Sequence, residues 1–571
     1  MPVILRKATF NVWQFAPWLF CMLYCAITVL RASQPLVFVP FAVSIILAFS
    51  LTFFLAGKLR SRTAHAFLAL LLLLPILLQM QSFHLSGELI TVMALANIDS
   101  AKAVSINWKQ VAPFVVLVVL SIATLALPVK HGGRLPKSMI LGILGVYGIL
   151  LVQNLRNDQI INQLDLPIFS LVTTVADAEF TEGGVYLNAE DRAVLEKEFR
   201  KEVTYDPSQK HASLLSTFPS RPNFLVLFTE GMSARMMSAY GGSRPTLMPN
   251  MDRFYQEALV FDNYYNHTAA TFRGLRGQLT SSFIGAREDG ETGLAFVENG
   301  ELVDHTYREN VISVPQILKS RGYDTAFLTP HSEEMNLNTF IKDIGFDQVI
   351  TGTDVAKLQG HDQVPVGDKN LYQFLPDLTG KLKEPYFLGV YNFGTHLFQD
   401  SPDEKFGDGG SVVLNRFHNV DTQFGLFLKK FKTDPQFRNT VLILTADHAA
   451  YPAPEFTQVE NVKPGYFIDR IPMMVYWNGV KHQRIDMAGR NSLSFAPTIM
   501  EMAKIRDAKN YFLGCSMFAE GCDISSYVTN INAFYFMTNT GQIRYLTENK
   551  ADPDYTTARN SVERFVKYSG F

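Results

Sequence analysis

The chain has 571 residues, 47% of them hydrophobic and 18% charged, with 51 Lys and Arg against 53 Asp and Glu. A net charge of −2 offers no electrostatic footprint for nucleic acid, and that class of partner is set aside. Apolar residues concentrate before 155, while charges and Gly, Pro and Asn dominate after 180, so the chain reads as two parts.

Five stretches, roughly 16–31, 37–56, 64–82, 112–128 and 138–154, are apolar enough to read as membrane spans. About 20 residues rising about 1.5 Å each cross the hydrocarbon core of a bilayer. Every second loop is basic: Arg6 and Lys7 precede the first span, Lys58, Arg60 and Arg62 follow the second, and Lys130, Arg134 and Lys137 follow the fourth. The alternate loops are poorer, with Arg31, Lys102 and Lys109. The positive-inside rule then places the N-terminus in the cytoplasm, and an odd number of spans places everything after 155 on the outer, periplasmic face of the cytoplasmic (inner) membrane. No small-residue cleavage site follows the first span, so it reads as an anchor, with Cys21 and Cys25 as packing residues inside it.

Residues 156–220 read as a connecting region. Its first part mixes apolar and polar positions, as an amphipathic helix on the membrane surface or an ordinary packed connector does. The run AEDRAVLEKEFRKEV is charged and helical in pattern. Residues 221–571 are long enough for one large α/β domain with strands alternating with helices. Near its end, Cys515 and Cys522 are close enough for a disulfide outside the cytoplasm, a spacing that also arises by chance.

Four apolar runs in this domain each lead to a chemically capable residue. FLVLF at 224–228 leads to Glu230, TAFL at 325–328 to His331, YFLGVYNF at 386–393 to His396, and VLILT at 441–445 to Asp447 and His448. Such runs read as buried parallel strands, and in open α/β sheets the ligand crevice lies outside their carboxyl ends. Glu230, Asp447 and His448 together form a mixed oxygen and nitrogen shell suited to Zn²⁺ or Mn²⁺. In YNHTAATFRGLRGQLTSSF, Thr271 stands near the start of a helix. A hydroxyl there, beside a cation, becomes a nucleophile toward phosphate or sulfate. Arg273 and Arg276 offer contacts to anionic oxygens, while the plainer role for Thr268 or Thr271 is a helix N-cap.

The stretches NFLVLFTEGMSA, LMPNMDRFYQEALVFDNYYNHT, ATFRGLRGQLTSS, GYDTAFLTPH with IGFD, and LTADHA make the chain similar to the alkaline phosphatase–sulfatase superfamily. The layout resembles its lipoteichoic-acid synthase and phosphoethanolamine transferase group over nearly the whole chain. That resemblance implies an N-terminal five-helix transmembrane bundle (1–155) and a sulfatase-like, alkaline phosphatase-type α/β domain (221–571), with a mainly parallel central sheet flanked by helices. It implies Thr271 as the nucleophile and Glu230, Thr271, Asp447 and His448 as ligands of one divalent metal, with room for a second. His396 falls where the group has a substrate-binding or proton-donating histidine, and His331 and Arg273 join it as substrate contacts. The implied partners are the membrane, a phospholipid donor of phosphoethanolamine or phosphoglycerol, and an envelope glycan or lipid acceptor. The chain lacks the C/S-x-P-x-R signature of formylglycine sulfatases, which argues against sulfate-ester hydrolysis. Met335 and Leu337 stand where lipoteichoic-acid synthases carry Trp and Arg, which argues against polyglycerolphosphate synthesis. A phosphodiesterase or phosphatase acting outside the cell uses the same residues with water as acceptor, and a membrane scaffold with a degenerate domain is the non-enzymatic alternative.

Overall fold

The computed structural model describes residues 16–32, 37–56, 62–86, 89–90, 108–125, 166–167, 171, 189–283, 297–298, 301–302, 311–397, 399–460, 467–531, 534–546 and 553–569. The chain divides into two units, Met1–Leu95 with Ile106–Phe180 and Pro452–Tyr466, and Ala96–Ser105 with Thr181–Tyr451 and Phe467–Phe571.

Four of the five expected spans are helices: α1 (Ala16–Ala32), α2 (Phe38–Ala56), α3 (Arg62–Ser86) and α4 (Trp108–Leu125). The fifth, at 138–154, lies outside the described residues, as does almost all of 155–180. Ala66–Ser86 is the one described helical stretch long and apolar enough to cross a bilayer by itself; Ala16–Leu30, Phe38–Thr52 and Val111–Leu120 are shorter apolar segments. The helices share a core that includes Cys21, Cys25, Phe41, Leu73, Leu77, Met80, Phe83 and Leu117. The opposite faces are exposed and equally apolar: Leu19, Leu23, Ile27 and Leu30 on α1, Phe67, Leu71, Leu74 and Leu78 on α3, Val115, Val116, Val119 and Leu120 on α4. Across the core Tyr24 Oη donates to Gln81 Oε1 at 2.6 Å.

The expected charged helix is α5 (Ala189–Glu198), which ends before a short strand at Lys201–Val203. In the second unit an eight-stranded sheet is built from β1 (Asn223–Thr229), β2 (Leu259–Asp262), β3 (Asp324–Leu328), β4 (Gln348–Ile350), β5 (Tyr386–Tyr391), β6 (Thr440–Ala446), β7 (Met473–Tyr476) and β8 (Gln483–Asp486). The spatial order is β8-β2-β7-β6-β1-β5-β3-β4. β1, β5 and β6 are buried along their whole length, as expected for strands covered on both faces. The four apolar runs singled out in the sequence are thus the adjacent strands β6, β1, β5 and β3. They are parallel and in register, with Phe224 opposite both Phe387 and Val441 and Thr325 opposite Phe387. Their carboxyl ends therefore open on one edge.

The sheet is mixed rather than wholly parallel. β7 runs antiparallel to β6 and β2, with Met473 opposite Thr445. The chain leaves β6 at its carboxyl end and re-enters β7 beside that same end, so no crossover is needed and the direction reverses. MMVY is apolar in either direction, which is why its sequence carries no sign of this. Helices α6 (Pro249–Tyr255), α7 (Thr271–Thr280), α8 (Asp368–Thr379), α9 (Val412–Thr433) and α10 (Phe495–Met502) surround the sheet. Phe254 of α6 meets Phe424 of α9 at 5.2 Å and Tyr476 of β7 at 5.9 Å, and Phe495 of α10 meets Phe228 of β1 at 5.5 Å. A three-stranded antiparallel sheet, β9 (Val528–Ile531), β10 (Phe534–Met537) and β11 (Arg544–Leu546), packs with α11 (Pro553–Ser569). Their shared core includes Phe283, Leu493, Tyr535, Tyr555 and Val562. Cys515 and Cys522 are joined by a disulfide, while Cys21 and Cys25 are free and buried.

Candidate active site

β1 and β6 end side by side, so the residues that follow them are neighbours. Gly231 turns the chain after Glu230 with φ +53°, a left-handed conformation that costs glycine nothing. Its N–H donates to Asp447 Oδ1 at 2.9 Å, and the His448 N–H donates to the same oxygen at 2.7 Å. Ser233 Oγ accepts from Ala450 N at 3.1 Å and closes the two loops onto one another.

Helix α7 brings Thr271 to this edge. Gly274 lies so close to the end of β6 that an added Cβ would meet Asp447 O at 2.2 Å. Gln278, one turn further on, donates Nε2 to Ala446 O and Asp447 O, both at 3.0 Å. Thr271 is the first helical residue, not the N-cap: that place belongs to Ala270, at φ 72° and ψ 154° with no side-chain cap. A non-glycine residue there stores roughly 1–3 kcal/mol of strain, which the contacts of α7 must hold.

The four residues meet. Thr271 Oγ1 donates to Glu230 Oε2 at 2.8 Å and lies 3.4 Å from His448 Nε2. His448 Nε2 stands 3.5 Å from Glu230 Oε1 and 3.3 Å from Asp447 Oδ2. Glu230, Asp447 and His448 are buried while Thr271 is half-exposed, so a reactant approaches from the Thr271 side.

The donor set fits a divalent cation. Ligand atoms of Glu230, Asp447 and His448 all lie within 4.8 Å of one another, and Asp447 Oδ2 is buried with no hydrogen-bond partner. His448 Nδ1 sits 2.7 Å from Ala449 O, which places its proton on Nδ1 and leaves the Nε2 lone pair facing the carboxylates. Burial lowers the His448 pKa, favouring the neutral imidazole that a ligand must be. Burial and the charge of Glu230 push Asp447 well above the ordinary carboxylate range, because two enclosed carboxylates resist sharing a site without a cation. Glu230 itself is held low: burial opposes its charge, but His448, His396 and the Tyr391 hydroxyl outweigh it.

His331 and His396 are brought to the same region. The Phe393 ring lies between them, 4.6 Å from His331 and 4.5 Å from His396. His331 is buried, its Nδ1 lacks a hydrogen-bond partner, and burial with the charge of His396 lowers its pKa to about 4. His396 is half-buried, with Nδ1 2.8 Å from Leu397 O, and its charge bears on Glu230, His331 and His448.

Arg273 and Arg276 are both buried, because everything in α7 after Thr271 packs into the protein. Arg273 bears on His267, whose pKa burial and that charge lower to about 3. Sequence reading passed over Tyr391, whose hydroxyl donates to Glu230 Oε2 at 2.5 Å, and Asn392, whose Oδ1 accepts from Glu230 N at 3.0 Å. The only cue was their place in the run that ends at His396.

Residues 222–505 match the Sulfatase family model. The chain is 33% identical over 108 residues to an N-acetylglucosamine-6-O-sulfatase of Bacteroides thetaiotaomicron, 19% of this chain and 17% of that protein, so it spans about a sixth of that relative's length. Among solved structures it is similar to the integral membrane protein lipooligosaccharide phosphoethanolamine transferase A of Neisseria meningitidis, at 14% identity and TM-score 0.51, covering 86% of this chain and 95% of that one. The lipoteichoic acid synthase LtaP of Listeria monocytogenes aligns at 16% identity and TM-score 0.48, over 66% of this chain and 97% of that one. Residues 222–505, which contain Glu230, Thr271, Asp447 and His448, are a Sulfatase-family domain of alkaline phosphatase–sulfatase type.

Proposed function

We propose that the protein is a membrane-anchored phosphotransferase that moves a phospholipid headgroup, phosphoethanolamine or phosphoglycerol, to an envelope glycan or lipid acceptor. The observation that carries this reading is the half-exposed Thr271 hydroxyl, 2.8 Å from Glu230 and 3.4 Å from His448, at the start of a helix. Zn²⁺ or Mn²⁺ held by Glu230, Thr271, Asp447 and His448 would make the threonine oxygen more acidic and offset charge on the phosphoryl oxygens.

The chain's own residues perform the rest. Thr271 Oγ1 gives its proton to Glu230 Oε2 and attacks phosphorus, diacylglycerol leaves, and that proton returns to the threonine oxygen when the acceptor later displaces it. His396 gives the departing oxygen a proton, then takes one from the acceptor hydroxyl as that group displaces Thr271. Between the two steps the headgroup is esterified to Thr271. The first turn of α7 carries N–H groups that no helical carbonyl satisfies, and Arg273 adds a buried positive charge two residues on, both favourable to an anionic phosphodiester.

Membrane anchoring is supported by the outward apolar faces of α1, α3 and α4, which water would not favour over such an area. The Cys515–Cys522 disulfide supports an extracytoplasmic place for the second unit. A second reading, hydrolysis of a phosphate or sulfate ester with water as acceptor, is favoured by the sulfatase relative. Headgroup-labelled phosphatidylethanolamine and phosphatidylglycerol vesicles, given to the detergent-solubilised enzyme with and without an envelope glycolipid extract, separate the two. Label moving to glycolipid, and lost in Thr271→Ala with the fold intact, supports transfer; label released only as free product supports hydrolysis.

A further inference from the structure

Asp368 is a buried carboxylate beside the site to which these steps give no task. It opens α8, and its oxygens accept hydrogen bonds from outside that helix. Oδ1 accepts from Asn392 Nδ2 and from Gly394 N, each at 3.2 Å, and Oδ2 accepts from Asn419 Nδ2 at 3.3 Å. Gly394 has no side chain for a reason: a Cβ there would stand 2.2 Å from Asp368 Oδ2. The segment so gripped holds Glu230 from both sides. Asn392 Oδ1 accepts from Glu230 N at 3.0 Å, and Thr395 Oγ1 donates to Glu230 O at 2.6 Å. The next residue is His396, whose carbonyl accepts from Arg416 Nη1 at 3.0 Å.

One short segment therefore ties a metal-ligand position to the proton-carrying imidazole, and a single carboxylate clamps it. We infer that Asp368 is a positioning residue: through Asn392 and Gly394 it fixes the spacing between Glu230 and His396, so that His396 can protonate the oxygen leaving the phosphorus held beside Glu230. Burial pushes its pKa up to about 6, against the pull of its three donors. Such a cost of desolvation is consistent with a group kept for geometry, since a purely stabilising contact is better made by apolar packing. Misplacing a reacting group by about 1 Å costs roughly 100-fold in rate. The inference rests on the reading of His396 as the proton carrier.

The test is a double-mutant cycle of Asp368→Asn with His396→Ala in the full chain, loaded with Mn²⁺. Two diesters are compared: phosphatidylglycerol in vesicles, whose alkoxide needs a proton to leave, and bis(p-nitrophenyl) phosphate, whose leaving group does not. Asp368→Asn is expected to lower kcat on the lipid roughly 10- to 100-fold, with KM and bound Mn²⁺ little changed. The loss should largely vanish in the His396→Ala background and be small on the nitrophenyl ester. A loss that persists in full without His396, or is equal on both esters, or tracks lost Mn²⁺, overturns the inference. If His396→Ala alone leaves lipid turnover unchanged, the proton-carrier reading fails first and takes this inference with it. Should Asp368→Asn not fold, Thr395→Val, which removes one of the two bonds between the same segment and Glu230, must show the same dependence on His396.

Discussion

Glu230 Oε2 accepts from two hydroxyls, Thr271 at 2.8 Å and Tyr391 at 2.5 Å, which leaves Oε1 toward His448. Tyr391 thus orients the carboxylate from behind. Removing such an outer partner of a metal ligand typically costs about 10- to 100-fold in metal affinity or activity. Tyr391→Phe is expected to weaken Mn²⁺ or Zn²⁺ binding within that range while the thermal midpoint of the metal-free protein moves little. Calorimetric titration returning wild-type affinity together with wild-type turnover would refute the role. The residues that carry charge or a lone pair at strand tips were legible in the sequence, because Glu230, Asp447 and His448 each interrupt an apolar run. Tyr391 was not, since an aromatic inside an apolar run reads as core. Asp368 was not either, because nothing local links it to Asn392 and Gly394.

Among the elements, α7 shows what spacing can and cannot convey. The sequence placed Thr271 at a helix start, but did not show that Gly274 and Gln278 press that helix against Asp447. Nor did it show that Arg273 and Arg276 are buried, because burial of a whole helix depends on what packs over it. The direction of β7 was equally hidden. A second interlock joins α9 to α6: Asp421 accepts from Met251 N at 2.7 Å, Asn250 Nδ2 at 2.8 Å and Asn250 N at 3.1 Å. Burial raises the Asp421 pKa to about 6, above the roughly 3.9 of an unfolded aspartate. The folded form holds this proton more tightly, so the associated stability is full below about pH 4 and lost as pH rises through about 6, up to about 3 kcal/mol. The thermal midpoint of the wild type, minus that of Asp421→Asn, should therefore fall as pH is raised from 4 to 6. A difference that stays flat or rises contradicts the assignment.

At the scale of the whole molecule, composition separated an apolar N-terminal part from a polar C-terminal part, and the two units follow that division save that Ala96–Ser105 belongs to the second and Pro452–Tyr466 returns to the first. That return has no signature in composition, because PEFTQVE looks like any short surface helix. The apolar outer faces of α1, α3 and α4 predict that the full chain stays in the membrane pellet after an alkaline carbonate wash. Release into the supernatant would contradict anchoring. Non-reduced protein from cells should give two titratable thiols on denaturation, Cys21 and Cys25, and four after reduction; four without reduction would place Cys515 and Cys522 in a reducing compartment.

The claim on which these scales converge is that the Thr271 oxygen attacks phosphorus. Intact and peptide mass spectrometry of the enzyme, quenched in acid during turnover of phosphatidylethanolamine and phosphatidylglycerol vesicles, reads it directly. The prediction is one added phospho-headgroup on the peptide containing Thr271, absent from Thr271→Ala. Steady turnover with that peptide unmodified, or with the adduct on another residue, would contradict it.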